Sequence, residues 1–417
     1  MKTLSVIVPV FNEEKTVGGI ISKLDKINLG KRRKEIVVVD DGSGDGSAGI
    51  IKKLKIKNLK FIRHKKNQGK GAAIRTALKK ATGDYVIIQD ADTEYNPDEI
   101  IKLVSAAEKQ NLLVVFGSRD KEIRNRYLYP HYYWGSKMLC VMLNLMFGEK
   151  FTDPETCYKL IQTDLMRFLE ISERGFGVEM EMAAKIARLK VPYDEVSISY
   201  HPRSFAEGKK IGMKDGFEAI FLIWKYWQRD LHFGIGDRIL RQIRLGETLK
   251  YLNFSKGDVV VDMGCGRQAS LGWRLRPKVK RYLGLDMDVP AVGMENINLV
   301  TADLDRKIKL NTGSADKIIG AAIFEHLRKP ETFLKECRRI LKTGGILALT
   351  TPAPPLADLI LKICLKLKVV AADEVYDHVG YYSLKKLGEM LVKSGFELEK
   401  TKGFLFGLNN LIVAKKP

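Results

Sequence analysis

Apolar, β-branched runs alternate with amphipathic stretches of helical period along this chain, and that alternation restricts the fold more than any other feature. LSVIVPV (4–10), EIVVVD (35–40), LKFIRH (59–64), YVIIQD (85–90) and LLVVFGS (112–118) read as strands. EEKTVGGIISKL, SAGIIKKLK, GKGAAIRTALKKA and DEIIKLVSAAEKQ between them read as helices. Strands joined through helices need crossovers, so the expectation is α/β, a mostly parallel sheet with helices on both faces. A second series starts near residue 255, with strands at 259–264, 281–286, 317–322 and 345–351 and helices ETFLKECRRILK and SLKKLGEMLVKSG. A length of 417 residues exceeds what one hydrophobic core normally serves. The expected layout is a first domain over 1–230, a linker and entry helix over 231–254, and a second domain over 255–417.

Charge narrows the partners. The net charge is +21, from 71 Lys+Arg against 50 Asp+Glu, and it is spread evenly over both halves. No helix-turn-helix, zinc finger or RNA-binding signature accompanies it, so nucleic acid is not the expected partner. Anionic small molecules and an anionic membrane surface fit better. The five cysteines are scattered, odd in number and never paired as CxxC. That pattern argues for reduced thiols, with neither a disulfide framework nor a zinc site. The opening MKTLSVIVPVFNEE reaches acid by residue 13 and lacks a secretory layout. No apolar run approaches about 18 residues, so no spanning helix is expected. The expected location is the cytoplasm, peripheral at the inner membrane face.

In open α/β sheets ligands bind beyond the carboxyl ends of strands. The polar clusters of the first half fall there: PVFNEE (9–14), DDGSGDGS (40–47) and QDADTE (89–94). Asp90, Asp92 and Glu94 lie within five residues, and such carboxylates repel one another unless a positive group sits among them. An Asp-x-Asp at a strand end suits a hard divalent cation that keeps positions for phosphate oxygens. The plainer reading is that Asp92 or Glu94 caps the next helix; it leaves Asp90 and the neighbouring Gly-Ser-Asp loop unexplained.

These residues resemble glycosyltransferase family 2, with its GT-A nucleotide-sugar fold. VIVPVFNEE, VVVDDGSGDGS, NQGKGAAIRTAL and QDAD match in order and spacing. FGSR (116–119), FTDPETCYKL (151–160), GFGVEMEMAAKIA (175–187) and SYHPRSFAEGKKIGMKDG (199–216) look like the dolichyl-phosphate mannose synthase branch. The resemblance implies that Pro9, Asn12, Glu13 and Lys70 line the nucleotide-sugar pocket and that Asp41 meets base or ribose. It implies that Asp90 and Asp92, joined by Glu94, hold Mg²⁺ or Mn²⁺ on the diphosphate of GDP-mannose or a UDP-hexose. It assigns Arg119 and Arg203, with Lys209 and Lys210, to phosphate binding, with Asp92, Arg119 and Arg203 as the catalytic set. The implied acceptor is a polyprenyl phosphate in a membrane, which needs no general base. A sugar-hydroxyl acceptor would need one, and Glu179 and Glu181 are the spare carboxylates. A nucleotidyltransferase would carry a glycine-rich basic loop where this chain has FNEEKTVGG.

WGSKMLCVMLNLMFG (134–148) and FEAIFLIWKYWQRD (217–230) are apolar but too short to span. Each reads either as an interfacial helix that reaches a membrane-held phosphate or as core packing. PLADLILKICLKLKVVAA (355–372) reads as a membrane or pocket cover, or an ordinary amphipathic helix.

In the second half, VVVDMGCG (259–266) is a strand running into glycines, and YLGLD ends in Asp286 twenty residues on. An acid there typically holds ribose hydroxyls. With EHL and RRILKTGGILALTTP, this half resembles a class I S-adenosylmethionine-dependent methyltransferase, Rossmann-like in fold. The resemblance makes Asp262, Gly264, Gly266, Asp286 and Asp303 the cofactor candidates. NAD is the rival, without a complete GxGxxG. Gln268 replaces a glycine usual in the family, so a domain that binds S-adenosylmethionine only as sensor or scaffold is the alternative. Glu325 and His326 sit where the site should open, His326 as base or as helix entry.

Overall fold

The structure is a computed structural model, described for all residues except 122–128, 204–212, 229–234, 290–291, 295 and 355–378. It divides into two units, Met1–Trp227 and Gln228–Pro417.

The first unit holds strands β1 (Thr3–Val10), β2 (Arg33–Asp40), β3 (Leu59–Arg63), β4 (Tyr85–Ile88), β5 (Val114–Ser118), β6 (Lys159–Gln162) and β7 (Tyr193–Ser197). Its described helices are α1 (Val17–Lys26), α2 (Ser47–Lys53), α3 (Lys70–Leu78), α4 (Ile100–Gln110), α5 (Pro130–Phe147), α6 (Thr163–Phe168), α7 (Val178–Leu189) and α8 (Met213–Gln228). The sheet order is β3-β2-β1-β4-β6-β5-β7. β3, β2, β1 and β4 run parallel. β6 then intervenes antiparallel between β4 and β5, which makes the sheet mixed rather than mostly parallel. β6 is only KLIQ, four residues inside a polar motif, too short for a period to show.

Chain order reverses beside β1: β2 and β3 lie on one flank and β4 on the other. A ligand crevice opens at such a switch point. Because the three strands are parallel, PVFNEE, DDGSGDGS and QDADTE emerge along one edge. The strands below are fully buried, with Val6, Ile7, Val8, Val37 and Val38 at 0% exposure, which fixes the register of that edge.

A buried polar knot ties the opposite end. Glu35 accepts from Ser5 Oγ (2.5 Å), Lys60 Nζ (2.6 Å) and Thr82 N (2.6 Å). Burial opposes ionisation, but Lys60, Ser5 and Thr82 hold the Glu35 carboxyl down at about 2, below its ordinary 4.5. A depressed acid contributes stability above its unfolded value and loses it as pH falls toward the folded one. Glu35→Gln is therefore expected to cost about 2–3 kcal/mol at pH 7 and much less near pH 3. Urea unfolding of both proteins at the two pH values checks this; an equal penalty at both would contradict it.

The second unit holds α9 (Ile235–Lys250), β8 (Val259–Met263), α10 (Ser270–Leu275), β9 (Arg281–Asp286), β10 (Val292–Met294), β11 (Ile297–Thr301), β12 (Ala315–Ala321), α11 (Pro330–Ile340), β13 (Leu341–Pro352), α12 (Leu384–Lys393), β14 (Glu397–Phe404) and β15 (Asn409–Lys415). The sheet order is β10-β11-β9-β8-β12-β13-β15-β14. β11, β9, β8, β12 and β13 are parallel, and β15 and β14 close the sheet as an antiparallel hairpin. The stretch 355–372 lies outside the described residues.

Candidate functional site

A cavity of about 750 Å³ in the first unit opens at the switch point. Pro9, Glu13, Asp41, Lys70, Asp90, Asp92, Glu94, Arg119, Glu179 and Arg203 all border it. Eight carboxylates line it against three permanent cations among the described residues: Lys70, Arg119 and Arg203.

Those cations are placed on the acids. Lys70 Nζ lies 2.7 and 2.9 Å from the two oxygens of Asp90 and 3.0 Å from Glu179. Burial alone would lower the Lys70 ammonium, but Asp90, Cys157 and Glu179 hold it well above its ordinary value. Arg203 Nη2 reaches Asp92 at 2.6 Å, and Nη1 approaches Glu13 at 3.3 Å. Asp92 remains under-neutralised: burial, then Asp90 and Glu94, push it up to about 7 in spite of Arg203. Carboxylates crowded at one strand end are the donors a divalent cation prefers, so the residues fit Mg²⁺ or Mn²⁺, which Asp90 and Asp92 would hold in exchange for their present cations. No group of three or more His, Cys, Asp and Glu has metal-site geometry among the described residues.

Glu94 has another occupation. Its carboxylate accepts from Arg203 N (2.9 Å) and Tyr200 OH (3.2 Å), and its carbonyl from His201 N. It ties residues 200–203 to the strand end and so positions Arg203. Asn12, left-handed at φ 51°, also holds a loop: its backbone N–H donates to Ser43 Oγ and its side-chain Oδ1 accepts from Gly44 N. It is not among the cavity residues. Asp41 borders the cavity, but His64 Nδ1 (2.6 Å), Gln68 N and Gly69 N (2.7 Å) already converge on it. Asp41 thereby fixes the turn into α3. Gly69 in that turn has φ 96°, and a Cβ there would sit 2.3 Å from the Arg174 carbonyl oxygen. Only glycine admits this approach.

Arg119 forks onto Asp153 through Nε and Nη2, each 2.7 Å, and its guanidinium lies 5.1 Å from the Tyr200 ring centre. Burial works against ionised Asp153, yet Arg119 keeps it below the ordinary carboxylate range. Glu179 is shared between Lys70 and fully buried Lys159, 2.7 Å away. Glu181 is buried and takes Ser172, Glu173 N, Lys185 and Tyr226, so it belongs to the framework. Lys209 and Lys210 lie outside the described residues. Sequence reasoning missed Lys159, Asp153 and Glu155, a cavity carboxylate pushed up by burial and opposed by Arg119. The motif FTDPETCYKL contained all three, but a motif does not say which partner a lysine meets.

The cavity is also bordered by apolar and aromatic side chains, Tyr132, Met138 and Leu139 of α5 and Phe217 and Ile220 of α8. Each helix buries one stripe: Leu139, Cys140, Leu143 and Phe147 of α5, and Ala219, Leu222, Ile223 and Tyr226 of α8. Each exposes another. Trp134, Met138, Val141 and Leu145 follow one another at helical spacing, as do Phe217, Phe221 and Trp224.

The profile described as "Glycosyl transferase family 2" matches residues 5–169. The N-terminal half is a family 2 glycosyltransferase domain. An uncharacterized protein of Methanocaldococcus jannaschii is 31% identical over 221 residues, which are 49% of this chain and 93% of that one. The dolichol-phosphate mannosyltransferase of Pyrococcus furiosus is 28% identical over 57% of this chain and 66% of its own length. The sheet of this glycosyltransferase domain is GT-A-like. A "Methyltransferase domain" profile matches residues 237–401, and the C-terminal half is a methyltransferase domain of Rossmann-like fold. A complex of the Haloferax volcanii Trm112 methyltransferase activator and a putative methyltransferase is 18% identical, at TM-score 0.37, over 44% of this chain and 92% of that one.

In the methyltransferase domain the parallel order β11-β9-β8-β12 brings the predicted residues to one edge. Gly264 (φ 79°) and Gly266 (φ 68°) form a left-handed turn, where a Cβ on Gly264 would meet Ile323 at 2.9 Å. Asp286 accepts from Gly266 N (2.8 Å) and Asp288 N (3.0 Å). Asp303 closes its own loop, accepting from Asp305 N and pairing with Arg306 at 3.0 Å. Asp262 is buried and accepts from Tyr282 OH at 2.5 Å, so it supports the turn from below. Glu325 is buried, and its carbonyl accepts from Val379 N and Gly380 N. The glycine turn beside an acidic strand end fits S-adenosylmethionine, whose ribose Asp286 would hold.

Proposed function

We propose that the glycosyltransferase domain moves a hexose from a nucleoside-diphosphate sugar to a polyprenyl phosphate, with inversion. The observation that carries this reading is a single cavity bordered both by carboxylates and cations of the strand ends and by apolar side chains of α5 and α8. A divalent cation, when bound, supplies charge neutralisation at the diphosphate leaving group. The chain's part is positional. In this reading Lys70 and Arg203, now paired with Asp90 and Asp92, would take the diphosphate oxygens, and Arg119, held by Asp153, would take the acceptor phosphate. An acceptor phosphate oxygen attacks the anomeric carbon as the bond to the diphosphate breaks, on the opposite face. A phosphate monoester is already ionised at neutral pH and needs orientation rather than a base. A hydroxyl acceptor fits less well, because Glu179 is committed to two lysines and Glu181 to the framework.

The Pyrococcus mannosyltransferase supports the polyprenyl class, while the sugar and nucleoside stay open between GDP-mannose and UDP-hexoses. The test is a donor screen with the full chain, polyprenyl phosphate, Mn²⁺ and labelled GDP-mannose, UDP-glucose or UDP-N-acetylglucosamine. Absence of labelled lipid with every donor overturns the reading.

The two exposed stripes support a reading in which α5 and α8 rest on a membrane surface. No helix among the described residues is long and apolar enough to cross. Each large side chain buried in lipid contributes about 1.5–3 kcal/mol. Trp134→Asp with Leu145→Asp is therefore expected to weaken binding to anionic vesicles by more than about tenfold. Transfer to a short, water-soluble prenyl phosphate should persist. Unchanged flotation with vesicles would remove α5 from the docking surface.

For the second domain we propose methyl transfer from S-adenosylmethionine to a lipid-linked glycan or related envelope molecule, a reading supported by the glycine turn and Asp286.

A further inference from the structure

The two carboxylates that would hold the metal each already carry a cation of this chain. Both oxygens of Asp90 face Lys70 Nζ, at 2.7 and 2.9 Å. Asp92 Oδ2 lies 2.6 Å from Arg203 Nη2. Neither cation is held by that contact alone. Lys70 has Glu179 on its other side, 3.0 Å away, and Arg203 has Glu13 at 3.3 Å and Glu94 at its backbone N–H. The Lys70 side chain is only 10% exposed and is gripped by acids on two sides, so it cannot swing into water at little cost.

A dication at bonding distance from Asp90 and Asp92 would stand in contact with both positive groups. Like charges that close repel strongly where water is excluded. The metal alone therefore gains two carboxylates but must dislodge an ammonium and a guanidinium from them. A nucleoside diphosphate arriving with the metal changes this exchange. Its oxygens give Lys70 and Arg203 new anionic partners while the metal takes the carboxylates. Charge is then conserved pairwise, and no buried cation is left without a counter-charge.

We infer that Lys70 and Arg203 are resident counter-cations that keep free metal out of this site and make metal and nucleoside diphosphate bind as one unit. The inference rests on the metal reading above. It assigns the two residues a role in the empty site in addition to any in the reaction. By linkage, the factor by which nucleotide strengthens metal binding equals the factor by which metal strengthens nucleotide binding.

The test reads bound Mn²⁺ from the electron paramagnetic resonance signal of the free ion, with the full chain, in the presence and absence of GDP or UDP. The parent should bind Mn²⁺ weakly alone and about tenfold or more tightly with nucleotide. Arg203→Gln and Lys70→Gln should each bind Mn²⁺ alone roughly tenfold more tightly than the parent. In both variants the gain from nucleotide should shrink by a similar factor. Adding Asp92→Asn to either should abolish the improvement. Mn²⁺ without nucleotide should also raise the melting temperature of the variants more than that of the parent, which keeps the idea testable if a variant is marginally folded. Unchanged or weaker nucleotide-free Mn²⁺ binding in both variants overturns the exchange while leaving the metal reading intact. An improvement that survives Asp92→Asn overturns it as well. No Mn²⁺ uptake by the parent even with nucleotide overturns the metal reading and the exchange together.

Discussion

Asp92→Asn is expected to lower sugar transfer by roughly 10²–10³-fold, the loss that follows removal of one charge-stabilising group from a preorganised site. The same substitution should leave the melting temperature unchanged or higher. Asp92 is buried beside Asp90 and Glu94, and its carboxyl is pushed up to about 7. A group so placed destabilises the folded chain when ionised, so an uncharged isostere relieves strain. Arg203 loses its 2.6 Å partner but keeps Glu13 and Glu94. Activity and stability should thus move in opposite directions, which separates a functional carboxylate from a structural one. Chelation by EDTA should reproduce the activity loss in the parent. Full transfer in EDTA, or by the variant, would remove the metal from the reaction. A cooperative loss of structure in Asp92→Asn would show that this carboxylate supports the fold instead.

The sequence was most readable where one interaction decides the outcome. Buried runs such as IVVV and VII are apolar on both faces, as central parallel strands require, and polar clusters at their carboxyl ends marked the site edge. The carboxylates Asp90 and Asp92 were located by spacing alone. What the spacing did not disclose was where the charge balance comes from. Lys70 and Asp90 are twenty residues apart, and Arg203 and Asp92 more than a hundred, so their pairing is a product of the sheet's crossover. Glu94 and Asn12 were expected as site residues, whereas the structure shows them as loop ties and leaves Asn12 outside the cavity, because a polar side chain serves a turn or a ligand equally well. β6 escaped because four residues inside a polar motif carry no period, and its antiparallel insertion turned a parallel expectation into a mixed sheet. The apolar character of 134–148 was visible, but the division into a buried and an exposed stripe depends on which side of α5 packs against α7 and the rest of the domain.

Asp286→Ala is expected to weaken S-adenosylmethionine binding by the full chain by about tenfold or more, a loss of roughly 1.5–3 kcal/mol. The geometry explains both the size and the selectivity of this effect. A carboxylate offers about four acceptor positions. At Asp41 three donors converge, two of them from backbone, and the group serves its loop. At Asp286 two backbone donors, Gly266 N and Asp288 N, are recorded. Capacity then remains for the two ribose hydroxyls, and such charge-assisted bonds are the strong kind. Removal of the acid acts twice, since it also releases the Gly264–Gly266 turn that a cofactor would approach. Gln268 stands where a smaller residue would leave the turn more open, and its carbonyl accepts from Trp273 Nε1 while Ala269 takes the left-handed φ of 44°. If that crowding excludes the cofactor, the folded parent will show no heat of binding with S-adenosylmethionine, and the cofactor assignment fails. If the parent binds and NAD does not compete, the domain is an S-adenosylmethionine site, and product analysis with labelled cofactor then separates transfer from sensing. Sugar transfer should persist in Asp286→Ala, because none of the residues assigned to it belongs to the second unit. A variant that lost both activities would instead show that the two halves depend on each other.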